Sequence, residues 1–395
     1  MAKKRIRVGL LGSGFASRFH HDSFLKITGA DIEVAGVYSP TQANREKFAS
    51  ERGIRAFSSY EELLGEVDLV DIVSPPYSHE EYVVRSAEAG KDVIVEKPFT
   101  GYFGPPDAGD DWRGDEFSKE TMLTEAVASA KRMRDSVEKA GVKLGYAENW
   151  VYAPSVQKEC EILRASKGQI LWMTAEESHS GSGSPVYGIW RKAGGGSLMG
   201  KGCHPLTACL YLKQVEGLAT GSDAIRPKTV SCRTHKITRE KAYRDAGLIR
   251  TDYFDIEDYC QVHVTFTDGM VADIFSTEIV LGGVHNWLEV YCNNHRNRCN
   301  INPVDGCVLY NPIEAQLEDV YLTEKLGTKQ GWSFPSPDED WMTGYPQETQ
   351  DFVNAIVGGP EPQCGLTLGC DTVAVVYAAY VSDERGGAEV EVPQV

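Results

Sequence analysis

The sequence predicts an α/β protein in two parts: an N-terminal doubly wound parallel sheet, then a C-terminal α/β domain with a large open, mostly antiparallel sheet. Three observations predict it. Short β-branched runs alternate with helical patterns over residues 1–147, the rhythm of βαβ units whose sheet is covered on both faces. Over residues 148–395 that rhythm gives way to longer runs of period two, as half-buried antiparallel strands require. The chain also has 395 residues, and single hydrophobic cores stop growing near ~250–300 residues.

Each element has a local reason. Residues 5–11 (RIRVGLL) form a strand that stops at Gly12, and Phe15, Phe19, Phe24 and Leu25 mark the helix behind it. A second strand covers 32–38, a helix 45–52, a buried strand 69–73, a helix 80–89, and a strand runs over 92–98 until Pro98 ends it. Residues 101–123 break the pattern with Gly, Pro and six acids (Asp107, Asp110, Asp111, Asp115, Glu116, Glu120) against two basic residues. We read them as an ordered insertion beside the site, with a neutral or cationic neighbour. A helix at 124–140 and a strand at 143–149 resume the alternation. In the second part strands are expected over 170–178, 259–277 and 287–292, the middle run folding back at Thr267-Asp268-Gly269, and a helix over about 367–381.

Composition narrows function. Lys and Arg number 40 against 57 Asp and Glu, a net charge of −17 that disfavours nucleic acid and anionic membranes as partners. No apolar run reaches the ~20 residues of a membrane span, and the basic N-terminus runs straight into a glycine turn, so a cytoplasmic protein is expected. Ten dilute cysteines imply free thiols.

Gly12-Ser13-Gly14-Phe15-Ala16-Ser17 lies between the first strand and first helix. There the first glycine permits the tight turn and the second lets a diphosphate approach the backbone at the positive end of the helix. Ser17 replaces the third glycine. No acid ends the second strand, where one would read a ribose hydroxyl; Ser39 stands there instead. NAD is the preferred cofactor and NADP stays open.

Glu96-Lys97-Pro98, taken with the glycine turn, with Ser74-Pro75-Pro76 through His79, with GYAENWVYAP at 145–154 and with the glycine run 194–196 leading to His204, resembles the Gfo/Idh/MocA family. The resemblance implies a Rossmann domain, a second domain with the substrate on one sheet face, and self-association through the other. It also implies Lys97 and His204 as catalytic residues. Glu96, Ser74, Pro75 and His79 would lie along the cofactor, and the bond before Pro98 would be cis. The family commonly has an aspartate four residues before the histidine, where this chain has Gly200. Lys201, Glu148 and His179 are candidates to replace it.

Lys97, beside an oxidised nicotinamide and partly buried, is expected to have a lowered pKa. His204 suits proton exchange near neutral pH. Asn149, Trp150, Tyr187 and Trp190, with Lys97, Glu148, His179 and His204, are expected around a sugar ring, whose apolar face stacks on aromatics and whose hydroxyls need polar partners. Cys292, His295, Cys299 and Cys307 lack a C-x-x-C pair and read as turns, so no metal is expected. The reading is an NAD(P)-dependent dehydrogenase oxidising a secondary hydroxyl, C3 of a sugar, glycoside or cyclitol. Its rivals are a glycoside hydrolase using transient C3 oxidation and a non-catalytic redox sensor.

Overall fold

In the computed structural model, residues 5–109 and 111–395 are described; Asp110 of the acidic insertion lies outside them. The first sheet is assembled from β1 (Arg5–Leu11), α1 (Phe15–Phe24), β2 (Asp31–Tyr38), α2 (Gln42–Arg52), β3 (Arg55–Ala56), α3 (Tyr60–Glu66), β4 (Leu69–Ile72), α4 (His79–Glu88), β5 (Asp92–Glu96), α5 (Lys119–Ala140) and β6 (Leu144–Ala147). Its order is β3-β2-β1-β4-β5-β6, all parallel. This is the Rossmann arrangement, with strand ends converging where β1 and β4 separate the two halves. β4 is buried at every position, as a central strand covered on both faces must be.

The second part contains α6 (Asn149–Tyr152), α7 (Pro154–Ser166), β7 (Ile170–Ser178), α8 (Trp190–Ala193), a π-helical turn (Leu198–Gly202) and α9 (Cys203–Ala219). β8 (Pro227–His235), β9 (Tyr259–Phe266), β10 (Val271–Thr277), β11 (His285–Cys292) and β12 (Arg296–Asn302) follow. β13 (Leu309–Asn311), β14 (Gly331–Ser333), α10 (Glu339–Thr343), α11 (Tyr345–Ile356), α12 (Leu366–Glu384) and β15 (Val390–Glu391) complete it. The seven-stranded sheet runs β12-β11-β7-β10-β9-β8-β15 and is antiparallel except for the parallel pair β7 and β10. The expected hairpin at 267–269 joins β9 to β10, with Gly269 at φ +83°. α9 and α12 are buried nearly all round, against this sheet on one side and, for α12, against α5 of the first domain on the other.

One expectation changes: α5 begins at Lys119, not 124, because the Ser118 hydroxyl caps it by accepting from Thr121 N–H. The insertion straps onto the second domain, where Gly114 N–H donates to Asp255 (2.8 Å) and Asp115, paired within the insertion to Arg113, also pairs with Lys236. The cationic neighbours expected for its acids are thus supplied by this same chain. All ten cysteines are free, and no helix among the described residues is long and apolar enough to cross a membrane.

Candidate active site

β1, β4 and β5 end at one edge of the first sheet. Gly12 holds φ +126° there, and a Cβ on it would lie 2.6 Å from the Val73 carbonyl oxygen; only glycine fits. A Cβ on Gly14, the N-cap of α1, would meet nothing within 4 Å, so the backbone stays open to an approaching diphosphate. The turn therefore fits a dinucleotide. Ser13 and Ser39 share a hydrogen bond of 2.9 Å between their hydroxyls, joining the turn to the end of β2. Phe15 and Ala16 open α1, Phe15 being 66% exposed and edge-on to Phe19.

At the end of β5 the Lys97–Pro98 bond is cis, as expected. Lys97 Nζ donates to the Gly200 carbonyl (3.1 Å) and lies 5.4 Å from the centre of the Tyr187 ring. That carbonyl belongs to the π-helical turn, whose hydrogen-bond spacing departs from the α ladder. A Cβ on Gly200 would come 3.2 Å from Tyr187 Cδ1. Tyr187 thus occupies the space beside position 200.

His204 stands at the start of α9, and its Nδ1 faces Oε1 of Glu148, the residue that caps α6. Both are buried, Glu148 at 0% exposure. Trp150 lies behind the imidazole, nearly parallel to it, with ring centres 6.2 Å apart. A carboxylate accepting from Nδ1–H leaves the lone pair on Nε2. That nitrogen looks toward Glu177 Oε2 at 3.9 Å, too far for a hydrogen bond. Oε2 of Glu148 and Oε2 of Glu177 are buried without partners, acceptors that ligand hydroxyls could satisfy. Burial works against a charged His204, but Glu148 and Glu177 outweigh it and raise its pKa above the ordinary histidine value.

Beneath this layer, His20 of α1 bridges two carboxylates. Its Nδ1 is 2.9 Å from Asp71 and its Nε2 is 3.1 Å from Glu96. Burial opposes the imidazolium and pushes Asp71 up, yet the two acids hold the His20 pKa well above its ordinary value. Sequence reading found Glu96 but missed His20, Asp71 and Glu177. Glu177 had a signal: with Met173 and Ala175 it shares the inward face of period-two strand β7. His20 had only its position one turn after the glycine turn.

Other expected site residues have partners within the chain. Burial lowers the Lys97 pKa, but among the chain's own groups Tyr187, Cys203, Glu96 and Glu177 more than offset it and raise it above the ordinary lysine value. Lys201 is paired with Glu278 and does not reach His204 as the replacement acid would. His179 is held neutral by burial and by Lys201, Lys325 and Lys97, and its Nδ1 accepts from Gly181 N–H (3.1 Å), so it braces the serine-rich loop. His79 is fully buried between the Pro98 and Ser74 carbonyls, both at 2.9 Å, so it ties together the segments that follow β4 and β5. Ser74 in turn hydrogen-bonds Ser78 (2.7 Å) beside Pro75. Asn149 donates to the Thr343 carbonyl (2.7 Å), which fixes it to α10. Trp190, 2% exposed, packs on Tyr380 and donates to the Tyr102 carbonyl (3.2 Å), behind the glycine run.

Comparison with known proteins decides the relationship. A family model described as "oxidoreductase family, NAD-binding Rossmann fold" matches residues 6–105, and one for the "GFO/IDH/MocA C-terminal domain" matches residues 164–296. The chain belongs to the Gfo/Idh/MocA family. Among its relatives are the glucose-6-phosphate 3-dehydrogenase of Bacillus subtilis, 24% identical over 63% of each chain, and the UDP-N-acetylglucosamine 3-dehydrogenase of Acidithiobacillus ferrooxidans, 36% identical over 24% of this chain and 29% of that one. This chain thus spans less than two thirds of either relative. In fold it is similar to GenD2 from gentamicin A biosynthesis, solved with NAD, at a TM-score of 0.79 and 20% identity over 99% and 97% of the two chains. The WlbA dehydrogenase of Bordetella pertussis, solved with NADH and UDP-GlcNAcA, gives a TM-score of 0.70 at 17% identity over 100% and 99%. Gly12, Gly14 and the open N-terminus of α1 are therefore parts of a family NAD-binding domain.

Proposed function

We propose that this Gfo/Idh/MocA protein is an NAD-dependent dehydrogenase acting on a secondary hydroxyl, C3 of a sugar, glycoside or cyclitol. The observation that carries the reading is the buried Glu148–His204 pair, whose free Nε2 lies within the electrostatic reach of Lys97 at the cofactor edge of the first sheet. NAD, when bound at the glycine turn, supplies the hydride acceptor. His204 Nε2 accepts the hydroxyl proton while Glu148 stabilises the imidazolium that forms. The Lys97 ammonium, kept charged by its surroundings, lowers the energy of the developing alkoxide. Glu148 also takes the place in the constellation that Gly200 leaves vacant. Glu177 and the outer oxygen of Glu148 accept neighbouring ring hydroxyls. The choice of C3 is supported by two relatives named as 3-dehydrogenases.

The test is to incubate purified protein with NAD, or with NADP, and a panel of glucosides, sugar phosphates and inositols, following reduced cofactor and product mass together. Reduced cofactor with a product two hydrogens lighter is expected. No reduced cofactor and no altered sugar would overturn the reading. Free aglycone without accumulated NADH would instead mark a hydrolase using transient oxidation, and NAD binding with every sugar intact would mark a sensor. Self-association is proposed through the outward sheet face, where Leu171 and Trp172 are exposed; sedimentation velocity of wild type and Trp172→Glu tests it.

A further inference from the structure

Away from the cleft, the turn between β11 and β12 meets α7. Cys292 N–H donates to the His295 carbonyl (2.8 Å), closing a tight turn with Asn293 and Asn294 at its tip. Partners across such a turn present their side chains on one face. Facing them is Glu159 of α7, a carboxylate at 0% exposure. One donor atom from each of Glu159, Cys292 and His295 lies within 4.8 Å of the others. Cys299 and Cys307 stay out of the group: the first is buried beside the Ser155 carbonyl and the second is exposed.

The surroundings aim these donors. Asn294 Nδ2 donates to the Ser166 carbonyl (3.2 Å), which turns its Oδ1 toward His295 Nδ1 at 2.7 Å. Nδ1 therefore carries the hydrogen, and Nε2 points at Glu159 Oε1, 2.9 Å away. With a neutral ring two acceptors would meet there, a clash that a cation between them, a proton or a metal ion, removes. The other oxygen, Glu159 Oε2, accepts from Asn297 Nδ2 (2.9 Å). Gly168 makes room for the imidazole, since a Cβ there would lie 2.9 Å from His295 Cε1. Outer hydrogen bonds that orient a histidine and a carboxylate in this way are characteristic of metal ligands.

We infer that Glu159, Cys292 and His295 bind a divalent transition-metal ion, zinc by the chemistry of one sulfur, one nitrogen and one oxygen donor, with water as fourth ligand. The partly exposed turn gives the ion its path in. On binding, the Cys292 thiol releases its proton to solvent and the thiolate coordinates. The ion would clip the β11–β12 turn to α7.

Cobalt(II) serves as the probe, because thiolate ligation gives it an intense near-ultraviolet charge-transfer band. Wild-type protein stripped of metal and titrated with cobalt should show that band, saturating at one ion per chain and displaced by zinc. Cys292→Ser, with unchanged far-ultraviolet circular dichroism, should lose the band, and His295→Ala should weaken cobalt binding by at least about tenfold. Absence of the band in wild type would overturn the inference and leave an imidazolium–carboxylate pair. So would its persistence in Cys292→Ser, which would place the thiolate ligand at another cysteine.

Discussion

Replacing Glu148 by glutamine keeps the shape of the buried pair and removes its charge. At about 4 Å and an effective dielectric near 20, a unit charge pair interacts by about 4 kcal/mol, or about three pKa units. Glu177 remains 3.9 Å from the far side of the ring and retains part of that field. His204 must be neutral to accept a proton, so activity falls as pH drops through its pKa, which the two glutamates hold above the ordinary value. In Glu148→Gln that acid limb of kcat/KM should move down by up to about three pH units, the field of Glu177 being common to both proteins. The plateau should fall about 100-fold or more, because the glutamine neither stabilises the imidazolium nor fixes the tautomer. The assay is NADH formation from about pH 5 to pH 10 with whichever sugar of the panel is oxidised. An unmoved limb with a plateau close to wild type would refute the role of Glu148, and with it the identity of His204 as the base.

Lys97→Met should lower kcat/KM by about 100- to 1,000-fold while NADH affinity, read by fluorescence, changes by less than about threefold. Trp190→Phe should cost about 1–3 kcal/mol in urea unfolding through lost volume and the lost bond to Tyr102, with KM unchanged; a raised KM at intact stability would restore it to the substrate site. His20→Asn removes the cation hydrogen-bonded to both buried carboxylates, Asp71 and Glu96, a loss of about 3–5 kcal/mol. Because the His20 pKa is raised on folding, its contribution is complete below the ordinary histidine value and disappears as pH rises through the folded pKa. The stability gap between wild type and His20→Asn should therefore shrink in alkaline solution.

The strand–turn–helix opening was legible because it is local: Gly12 and Gly14 declare their backbone needs within one turn. The same holds for β7 and for the hairpin at Gly269, where periodicity and turn chemistry act over a few residues. The site was harder, because it is made of contacts between distant segments. Glu148 and His204 are 56 residues apart, and nothing local said that this carboxylate, and not Lys201 or His179, reaches the ring. Trp190 illustrates the converse. A tryptophan in a glycine- and serine-rich stretch looks like a stacking platform, but its exposure is settled by Tyr380 and Gly114, which arrive from elsewhere in the chain.

The packing of α12 bears on how the protein is made. This helix lies against α5, and Tyr377 accepts from Tyr102 N–H and donates to the Gly194 carbonyl, joining the insertion to the glycine run. Cys364, just before it, accepts from Tyr146 N–H at the edge strand of the first sheet. On the ribosome, the cofactor domain is therefore synthesised long before the helix that covers α5 emerges. A fragment that ends at residue 147 would carry a bare apolar flank, which makes it a client for chaperones and a poor choice for separate expression.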